Sequence, residues 1–484
     1  MLDIAIVVAY GLCLSLILVY SFFQFNLLWA YWFRENEHTK LELTELPMVT
    51  VQLPVFNEKY VVENIIDAVC KFNYPADLLD IQVLDDSTDD SFEIAEKRIQ
   101  YWQEKGIQIV HIKRPVREGF KAGALKYGLE RCKGEFVAIF DADFIPTPDF
   151  LTQTLGYFTP EVGVVQSRWG HSNRNFSRLT QLQAFGLDAH FTVEQVGRNA
   201  LNHFINFNGT AGIWRKECID DAGGWSAGTL TEDLDLSYRA QLAGWKFVFR
   251  EDIVVEAELP MAMNALKNQQ FRWTKGAAEC ALKNGGKVLR SDMPFISKCH
   301  GFAHLFNSSI FVIIVLSGLL SLPLLGVIVR NPEWKWLFNL GLIYLFSFFV
   351  LMAFYFTSYR KTQKGKAHRF LIDFIQFLSV SMGLSIHNAN AVLEAWARRK
   401  SPFVRTPKFN VSKGDSWKKN AYLTSTLNTL NVLEILAGFG FLGAAIWGVM
   451  HEETGLLIFH GMMAYGFFFV GINSIFHSLH ARKN

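Results

Sequence analysis

The stretch that decides the fold is EFVAIFDADF, residues 135–144. In it an apolar run is followed at once by two aspartates, Asp141 and Asp143, with one alanine between them. A short apolar run of this kind predicts a buried strand, which we expect to end at Asp141. Ions such as Mg²⁺ and Mn²⁺ bind one or two protein carboxylates together with phosphate oxygens and water. Two carboxylates at a strand end therefore predict a metal site for a ligand that carries phosphate.

Strands and helices alternate upstream of this stretch. Strands are predicted at residues 49–55, 80–85 and 107–112, and helices at residues 57–72, 91–105 and 122–132. Asn57 is expected to cap the first helix, and the strand in DIQVLDDSTDD to end at Asp85. This alternation indicates a doubly wound α/β sheet, which binds ligands outside the carboxyl ends of its strands. Residues 34–300 contain neither a Gly-x-Gly-x-x-Gly nor a Gly-Lys-Ser/Thr loop, which argues against a dinucleotide or P-loop site.

Charged residues are concentrated between residues 35 and 300, while the flanking segments are rich in Leu, Phe and Ile. Because 50% of the chain is apolar, this distribution indicates a soluble domain framed by membrane segments. The net charge of +2 and the lack of a long basic run argue against nucleic acid as a partner. The six cysteines are scattered without a Cys-x-x-Cys pair, which argues against a zinc site and is typical of a reduced compartment.

Membrane helices are predicted on both sides of this domain. Residues 1–33 are expected to form the first, because a helix needs about 20 apolar residues to cross a bilayer. The alternative is a buried hairpin of a soluble protein. The run lacks the basic start and the cleavage site of a removable signal. Residues 301–484 are expected to form a C-terminal membrane region, with apolar runs at residues 302–329, 336–356, 427–450 and 456–476.

The charges beside these runs predict the orientation. Basic loops mark the cytoplasmic side, so about five crossings leave the N-terminus outside and the C-terminus inside. The domain at residues 34–300 is then cytoplasmic, at a plasma, inner or Golgi-type membrane. Residues 370–399 begin apolar, become amphipathic and are followed by cations, which indicates an interfacial or re-entrant helix.

Eight motifs link the chain to a known family: LPVFNE, DDSTDD, GFKAGAL, DAD, FNGTAGIWR, TED, QQFRW and FVRTPK, in that order. The chain resembles the membrane-embedded, processive family 2 glycosyltransferases, which include cellulose synthases, mannan and glucan synthase-like proteins and hyaluronan synthases. The resemblance covers residues 53–408 and is greatest to the mannan and glucan synthase-like branch. It implies a GT-A (Rossmann-like) α/β domain between transmembrane helices, a hexosyltransferase activity that needs Mg²⁺ or Mn²⁺, and UDP-glucose or GDP-mannose as the donor.

The resemblance also implies roles for the first carboxylates. Asp85, together with Asp86, holds the nucleoside end of the nucleotide sugar, and Lys121 of GFKAGAL neutralises the diphosphate. Asp141 contacts the nucleotide and Asp143 holds the metal. The alternatives are structural: the first two aspartates could cap the following helix, and Lys121 could be an ordinary lysine at a helix start, where a cation opposes the helix dipole.

In TLTEDLDLSYRA, the resemblance assigns Asp233 as the general base, with Glu232 beside it in the catalytic site. A carboxylate within hydrogen-bond reach can take the proton from an acceptor hydroxyl as it attacks the anomeric carbon. Asp235 is a lesser candidate for the same role. The structural alternative is a helix cap at Thr231. The family implies an inverting single displacement, in which an α-linked donor gives a β-linked product.

In QQFRW, the spacing i, i+3, i+4 places Gln269, Arg272 and Trp273 on one helix face. Arginine suits bidentate binding of phosphate, and the indole suits the apolar face of an acceptor sugar. The three residues match the family's Gln-x-x-Arg-Trp motif, and on that resemblance Gln269 and Arg272 are assigned to the nucleotide sugar and Trp273 to the acceptor. The alternative is an amphipathic helix at the membrane surface. On either interpretation, Lys267 and Lys275 are expected on the outside, as a collar facing lipid.

SPFVRTPKFN, residues 401–410, resembles the gating loop of processive synthases, Phe-x-Val-Thr-x-Lys. Arg405 stands where that motif has Val. Thr406 and Lys408 are expected to reach the diphosphate and to exclude water as the loop closes. The alternative is a basic loop held to anionic lipid.

Three functions are consistent with these residues. The first is a polysaccharide synthase that extends a β-linked glucan or mannan at the cytoplasmic face and exports it through its own helices. The second is an enzyme that transfers a single sugar to a membrane lipid such as ceramide or diacylglycerol. The third is a non-catalytic receptor or scaffold, against which the intact carboxylates argue. The partners are a nucleotide sugar, a glycan or lipid acceptor and the bilayer.

Overall fold

A computed structural model of the chain describes residues 1–34, 40–334, 336, 341–401, 404, 406–410 and 429–481. Within them, seven strands form one sheet: β1 Val49–Val55, β2 Leu79–Asp85, β3 Ile109–Ile112, β4 Phe136–Ile139, β5 Val162–His171, β6 Gly212–Arg215 and β7 Lys246–Ala257. The strand order is β3-β2-β1-β4-β6-β5-β7. The first four strands are parallel to one another, whereas β6 runs antiparallel to both β4 and β5. The sheet is therefore mixed.

Helices cover both faces of the sheet and form the membrane part. Helix α1 Leu2–Phe33 precedes the sheet, and the helices of the soluble part are α2 Val62–Cys70, α3 Ser91–Gln103, α4 Phe120–Leu129, α5 Phe150–Thr154, α6 Arg178–Ala189, α7 Gln195–Ala200, α8 Lys216–Asp221 and α9 Glu232–Leu242. After the sheet come α10 Met263–Arg290, α11 Phe295–Leu305, α12 Ile310–Arg330, α13 Leu345–Thr362, α14 Phe370–Gly383, α15 Ser385–Trp396, α16 Thr429–Met450 and α17 Leu457–Ala481. Shorter helical turns connect several of these helices.

The predicted strands are confirmed in number and order for the parallel half of the sheet. β2 ends at Asp85, as expected. β4 ends at Ile139, two residues before the predicted end, because the backbone N–H of Asp141 donates to the Thr210 hydroxyl instead of continuing the sheet (2.8 Å). The antiparallel β6 lies between β4 and β5 and was not predicted.

The prediction that Asn57 caps a helix is wrong. α2 begins at Val62, and Asn57 has a left-handed backbone with φ of 54°. Its side-chain oxygen accepts from the backbone N–H of Thr88 (2.9 Å), and its own N–H donates to the Ser87 hydroxyl (2.9 Å). Asn57 therefore ties the loop after β1 to the loop after β2, where the two loops approach the ligand-binding edge of the sheet.

Five helical segments are long and apolar enough to cross a membrane: Leu2–Phe33, Asn307–Arg330, Gly341–Thr362, Thr429–Met450 and Leu457–Leu479. This number agrees with the sequence prediction for the part of the chain that the structure describes. The segment predicted as interfacial or re-entrant consists of two helices, α14 and α15, bent by 46° at Leu384. The five long apolar helices indicate that the chain is an integral membrane protein. Its orientation in the membrane stays a prediction.

The prediction that Lys267 and Lys275 of α10 form a collar facing lipid is wrong. The Lys267 ammonium is 4% exposed and lies 2.7 Å from Glu434 Oε1 on α16. The Lys275 ammonium is fully buried, 2.9 Å from Glu394 Oε2 on α15, and it also donates to Ser401. Both lysines therefore attach α10 to the membrane helices, because a buried cation needs a charged partner.

Replacing Lys267 with methionine should lower the free energy of unfolding by about 3–5 kcal/mol, because Glu434 is left as an unpaired buried charge. The double variant Lys267→Met/Glu434→Leu should recover most of that loss, since it removes both charges. Thermal unfolding of the protein in lipid nanodiscs measures both effects. Equal destabilisation by the single and double variants would contradict this account of the pair.

Candidate active site

A cleft lined by charged and aromatic side chains lies at the carboxyl ends of β1 and β4. It holds about 1280 Å³ of empty space, part of it open to solvent. The loop after β1, the starts of α4 and α9, one face of α10 and the loop around Thr406 and Lys408 form its walls. Eleven of the twelve predicted site residues line it: Asp86, Lys121, Asp141, Asp143, Glu232, Asp233, Gln269, Arg272, Trp273, Thr406 and Lys408. The structure thus brings together almost all of the predicted site.

Asp85 and Asp86 have different environments. Asp85 is fully buried, accepts from the Ser87 N–H (2.8 Å) and lies 2.9 Å from His111 Nε2. Asp86 lines the cleft and pairs with the Arg114 guanidinium, whose Nε is 3.0 Å from Asp86 Oδ1. Asp85 shapes the turn after β2, and Asp86 presents its carboxylate to the cleft.

Two lysines hold the carboxylates that follow β4. Lys121 Nζ lies 2.5 Å from Asp141 Oδ1 and donates to the carbonyl of Gly209 (2.9 Å). Burial opposes its charge, but Asp141 and Glu232 outweigh that effect and raise the pKa of Lys121 above its usual value. Lys408 Nζ lies 2.6 Å from Asp143 Oδ2. The loop at residues 406–410 is therefore closed over the cleft.

Glu258, just after β7, holds this loop in place. Its carboxylate accepts from the backbone N–H groups of Phe409 (2.9 Å) and Asn410 (2.7 Å). Burial, with Lys408 and Asn410 opposing it, raises the pKa of Glu258. Sequence reasoning missed this residue, because no motif marks it. Arg405 lies outside the described residues.

Asp233 lies in the first turn of α9. Its Oδ1 accepts from the Leu234 N–H (2.8 Å), and the helix begins at Glu232 with Thr231 before it, whose side chain makes no capping bond. A Cβ at Gly209 would lie 2.8 Å from Asp233 Oδ2, and Gly209 has φ of +80°. Glycine is therefore required opposite the carboxylate for two reasons.

The environment of Asp233 favours its protonated form. Burial raises its pKa to about 7, the neighbouring charge of Glu232 adds to the rise, and Lys121 opposes it. A base with a pKa near neutrality suits proton transfer at physiological pH. Asp235, the lesser candidate, is fully buried and bound by Lys283 (2.9 Å), Arg239 and Asn284 away from the cleft.

Helix α10 presents Gln269, Arg272 and Trp273 to the cleft, as the spacing predicts. Burial lowers the pKa of Arg272, against the attraction of Glu232 and the aspartates of the cleft. The ring of Trp273 lies 6.4 Å from that of Trp169 on β5. A Cβ at Gly276 would lie 2.8 Å from the Thr231 backbone nitrogen, so glycine lets α10 pack closely against the start of α9. The packing brings Arg272 and Asp233 to one cleft.

Comparison with known proteins identifies the family. Residues 47–276 match the family model "Glycosyltransferase like family 2". Over 458 residues the chain is 34% identical to glucomannan 4-beta-mannosyltransferase 1 of Oryza sativa subsp. japonica, with 91% of this chain and 85% of that one aligned. The chain belongs to glycosyltransferase family 2.

Other relatives of this family 2 glycosyltransferase align over a shorter part. It is 44% identical over 252 residues to glucomannan 4-beta-mannosyltransferase 7 of Arabidopsis thaliana, covering 51% of this chain and 45% of that one. The chain spans about half the length of this and three further curated relatives that it matches. Among solved structures, the mannosyltransferase PcManGT of Pyrobaculum calidifontis, in complex with GDP-Man and Mn²⁺, has a TM-score of 0.54 at 16% identity and covers 83% of this chain and all of that one. This likeness confirms the GT-A fold.

The carboxylates of this family 2 glycosyltransferase fit a divalent ion of the Mg²⁺ type. Within the described residues, no group of three or more His, Cys, Asp or Glu side chains is arranged to hold a metal. Asp143 instead holds a cation already, the Lys408 ammonium. Mg²⁺ takes one or two protein carboxylates and fills its other positions with phosphate oxygens and water. Asp143 with Asp141 meets that requirement once a diphosphate is bound.

Several lining residues of the glycosyltransferase cleft were not predicted. Trp169 and His171 come from β5, and Asn208 and Gly209 from the loop before β6. The motif FNGTAGIWR contains the second pair and could have predicted a turn there, because glycine is favoured at a left-handed position such as that of Gly209, with φ of +80°. The first pair lies on a strand that carries no motif, so only the packing of β5 beside β6 and β7 places it here.

Replacing Glu232 with glutamine should shift the acid limb of the pH profile for kcat/KM to lower pH. The negative charge of Glu232 raises the pKa of Asp233, and a base acts only above its pKa, so removing that charge lets the enzyme gain activity at lower pH. Initial rates from about pH 5 to 9 test this, with the isosteric substitution at the exposed Glu130 as the control. An unmoved limb, or one shifted upward, would contradict the assignment.

Proposed function

We propose that the chain is an inverting, metal-dependent hexosyltransferase that builds a β-linked polysaccharide of the mannan or glucan type from a nucleotide sugar. GDP-mannose is the first donor to test and UDP-glucose the second, because the relatives are glucomannan 4-beta-mannosyltransferases. The observation that carries the proposal is the half-buried Asp233, which lies opposite Lys121 and the aspartates after β4 in one cleft. The cytoplasmic placement of residues 34–300, between membrane regions at 1–33 and 301–484, is part of the same proposal.

The donor is bound by acidic and basic residues that lie close together in the cleft. Asp86 and the buried Asp85 hold the nucleoside end, directly and through the turn after β2. Lys121, Arg272 and Lys408 offer cationic groups to the diphosphate, and guanidinium is suited to bidentate binding of phosphate. When bound by Asp143 and Asp141, a divalent ion supplies Lewis-acid charge that neutralises the departing diphosphate.

Closure of the loop at residues 406–410 would protect a bound nucleotide sugar from hydrolysis. Thr406 is 4% exposed and lines the cleft with Lys408. Glu258 binds two backbone N–H groups at the end of the loop, which holds it over the donor position. Exclusion of water by such a loop prevents hydrolysis of the donor. Lys408 exchanges its partner Asp143 for diphosphate when the donor enters.

On the acceptor side, Trp273 supplies a flat surface for the terminal sugar and Asp233 accepts the proton of its hydroxyl. The acceptor oxygen attacks the anomeric carbon, the bond to the diphosphate breaks, and the proton moves to Asp233. One displacement inverts the configuration, so an α-linked donor gives a β-linked product. Gln269 lies between the cleft and the membrane part, and we assign it to the binding of the nucleotide sugar.

A second cavity supports export. We name it the membrane cavity; it has about 1200 Å³ of empty space between α6, α10, α12, α13 and α14. It shares Leu187, Gln269 and Trp273 with the cleft, so an acceptor stacked on Trp273 can extend directly into it. Its walls are largely apolar and aromatic, including Phe311 and Phe377. Aromatic rings in such walls present surfaces on which sugar rings can slide.

Product analysis tests the proposal. Membranes that carry the full chain are supplied with labelled GDP-mannose or UDP-glucose and Mg²⁺ or Mn²⁺, and the product is sized and digested with linkage-specific hydrolases. We expect a long β-linked polymer from one of these donors. A product of one sugar on ceramide or diacylglycerol would instead establish the lipid-transfer alternative, and absence of transfer from all donors would refute the glycosyltransferase proposal.

A further inference from the structure

A third cavity, which we name the side chamber, lies between the N-terminal helix and the soluble domain. Tyr20 and Gln24 of α1, His190 and Glu194 of the π-helical turn after α6, Arg198 of α7 and His300 of α11 line it. It has about 720 Å³ of empty space and shares no lining residue with the catalytic cleft. The mechanism proposed above uses none of these side chains.

The ionic groups of the side chamber neutralise one another. Glu194 Oε1 accepts from Arg198 Nη2 (2.8 Å), and Glu194 Oε2 lies 3.0 Å from His190 Nδ1. The negative charge of the Glu194 carboxylate thus neutralises the positive charge of the Arg198 guanidinium. An anionic ligand would meet Glu194 and a cationic ligand would meet Arg198, so the chamber suits a neutral ligand.

Hydrogen-bonding capacity is nevertheless left over. Arg198 and His300 are each 4% exposed, and Nε and Nη1 of Arg198 and Nδ1 of His300 have no hydrogen-bond partner among the residues that the structure describes. Buried polar groups without protein partners are uncommon. These groups make this part of the chamber wall polar, which suits a ligand with hydroxyl groups better than an apolar lipid tail.

The remaining walls suit a sugar ring. The aromatic rings of Tyr20, Phe23 and Tyr355 provide flat apolar surfaces, and the amides of Gln24 and Asn307 provide both donors and acceptors. Pockets that combine apolar and aromatic walls with a few polar groups bind small organic ligands. A neutral hexopyranose has both the apolar ring faces and the hydroxyl groups that this combination requires.

The side chamber also adjoins the proposed path of the glycan. It shares the lining residues Gly186 and Tyr355 with the membrane cavity, so the two spaces adjoin at these residues. It touches the cleft through His190, whose Nε2 accepts from the side-chain amide of Asn208 (3.1 Å). A sugar in the side chamber would therefore lie beside the glycan and contact the loop that faces the donor.

We propose that the side chamber is a second carbohydrate subsite, which binds one neutral hexopyranose beside the main path of the glycan. That sugar is either a substituent on the chain in the membrane cavity or a main-chain unit of an entering acceptor. The inference rests on the proposed function, because it takes the membrane cavity as the glycan path.

Binding of two oligosaccharides to the full chain in lipid nanodiscs tests the subsite. The probes are a linear β-linked mannotetraose and the same tetrasaccharide with one galactosyl substituent, both titrated calorimetrically without donor. Ala303→Leu fills the side chamber from α11, and Gln24→Met removes an amide at nearly constant size. Ala5→Leu, on the exposed side of α1, is the matched control. Affinity for labelled nucleotide in each variant verifies folding.

We expect binding about tenfold weaker or more in Ala303→Leu, a smaller loss in Gln24→Met and none in Ala5→Leu. Loss confined to the substituted probe identifies a substituent as the occupant, and loss for both probes identifies a main-chain sugar. Unchanged affinity of both probes in both chamber variants, or no binding by the wild type, overturns the subsite. If Ala303→Leu does not fold, Gln24→Met decides alone.

Polymer synthesis in the same preparations separates this inference from the proposed function. If the wild type makes polymer and the chamber variants bind the probes normally, the subsite is refuted and the polysaccharide synthase stands. If the wild type makes no polymer but binds the probes, and Ala303→Leu weakens that binding, the subsite stands and the synthase is refuted.

Discussion

Replacing Asp233 with asparagine should lower turnover about 10²–10⁴-fold while leaving the affinity for the nucleotide sugar nearly unchanged. Asparagine keeps the size of the side chain and can still lie opposite Gly209, but it cannot accept the proton of the acceptor hydroxyl. The expected loss is in the chemical step, because the proposed donor contacts are made by other residues: Lys121, Arg272 and Lys408 to the diphosphate, and Asp86 to the nucleoside.

Initial rates and donor binding, measured on the same preparation in nanodiscs, check this expectation. Asp220→Asn, at an exposed position of the same domain, is the matched control and should behave as the wild type. Normal turnover by Asp233→Asn would remove Asp233 as the base. A stable glycosyl-enzyme intermediate, if one were trapped, would refute the single displacement instead.

Replacing Asp143 with asparagine should lower turnover by roughly 10³-fold, since charge stabilisation by a metal contributes several kcal/mol. Its side chain is 4% exposed, and its Oδ2 lies 2.6 Å from Lys408 Nζ. A neutral amide binds a divalent ion weakly, so the negative charge that develops on the diphosphate is no longer neutralised.

A Mn²⁺ titration of donor affinity separates the two partners of Asp143. Asp143→Asn should abolish the gain in donor affinity that Mn²⁺ gives, whereas Lys408→Met should keep that gain and lose turnover through an open loop. If Asp143→Asn retains the full response to Mn²⁺, then Asp143 is a partner of the loop and not a metal ligand.

The sequence predicted the parallel half of the sheet and the residues at its edge. β1, β2 and β4 are short apolar runs followed by Asn57, Asp85 or Asp141, and such patterns are local, so they can be read one segment at a time. The spacing in QQFRW likewise predicted that Gln269, Arg272 and Trp273 share a face, because helical periodicity depends only on neighbouring residues.

The antiparallel β6 could not be predicted in the same way. It has four residues and no alternation of polar and apolar side chains, and its place between β4 and β5 depends on pairing with strands distant along the chain. The insertion matters for the site. It brings Asn208 and Gly209 to the cleft, and through Gly209 it makes room for the Asp233 carboxylate.

The sequence by itself determined the identity and order of the carboxylates, the number of long apolar helices and the family, because apolar runs and motifs are properties of consecutive residues. Tertiary structure decided which of these groups face the cleft. It buried Asp85 beside His111 and placed Asp86 at the wall of the cleft against Arg114, paired Lys267 with Glu434, and joined Glu258 to the loop at residues 406–410. Each of those outcomes depends on the free energy of burying a charge against a partner from a distant segment, and no local pattern records that partner.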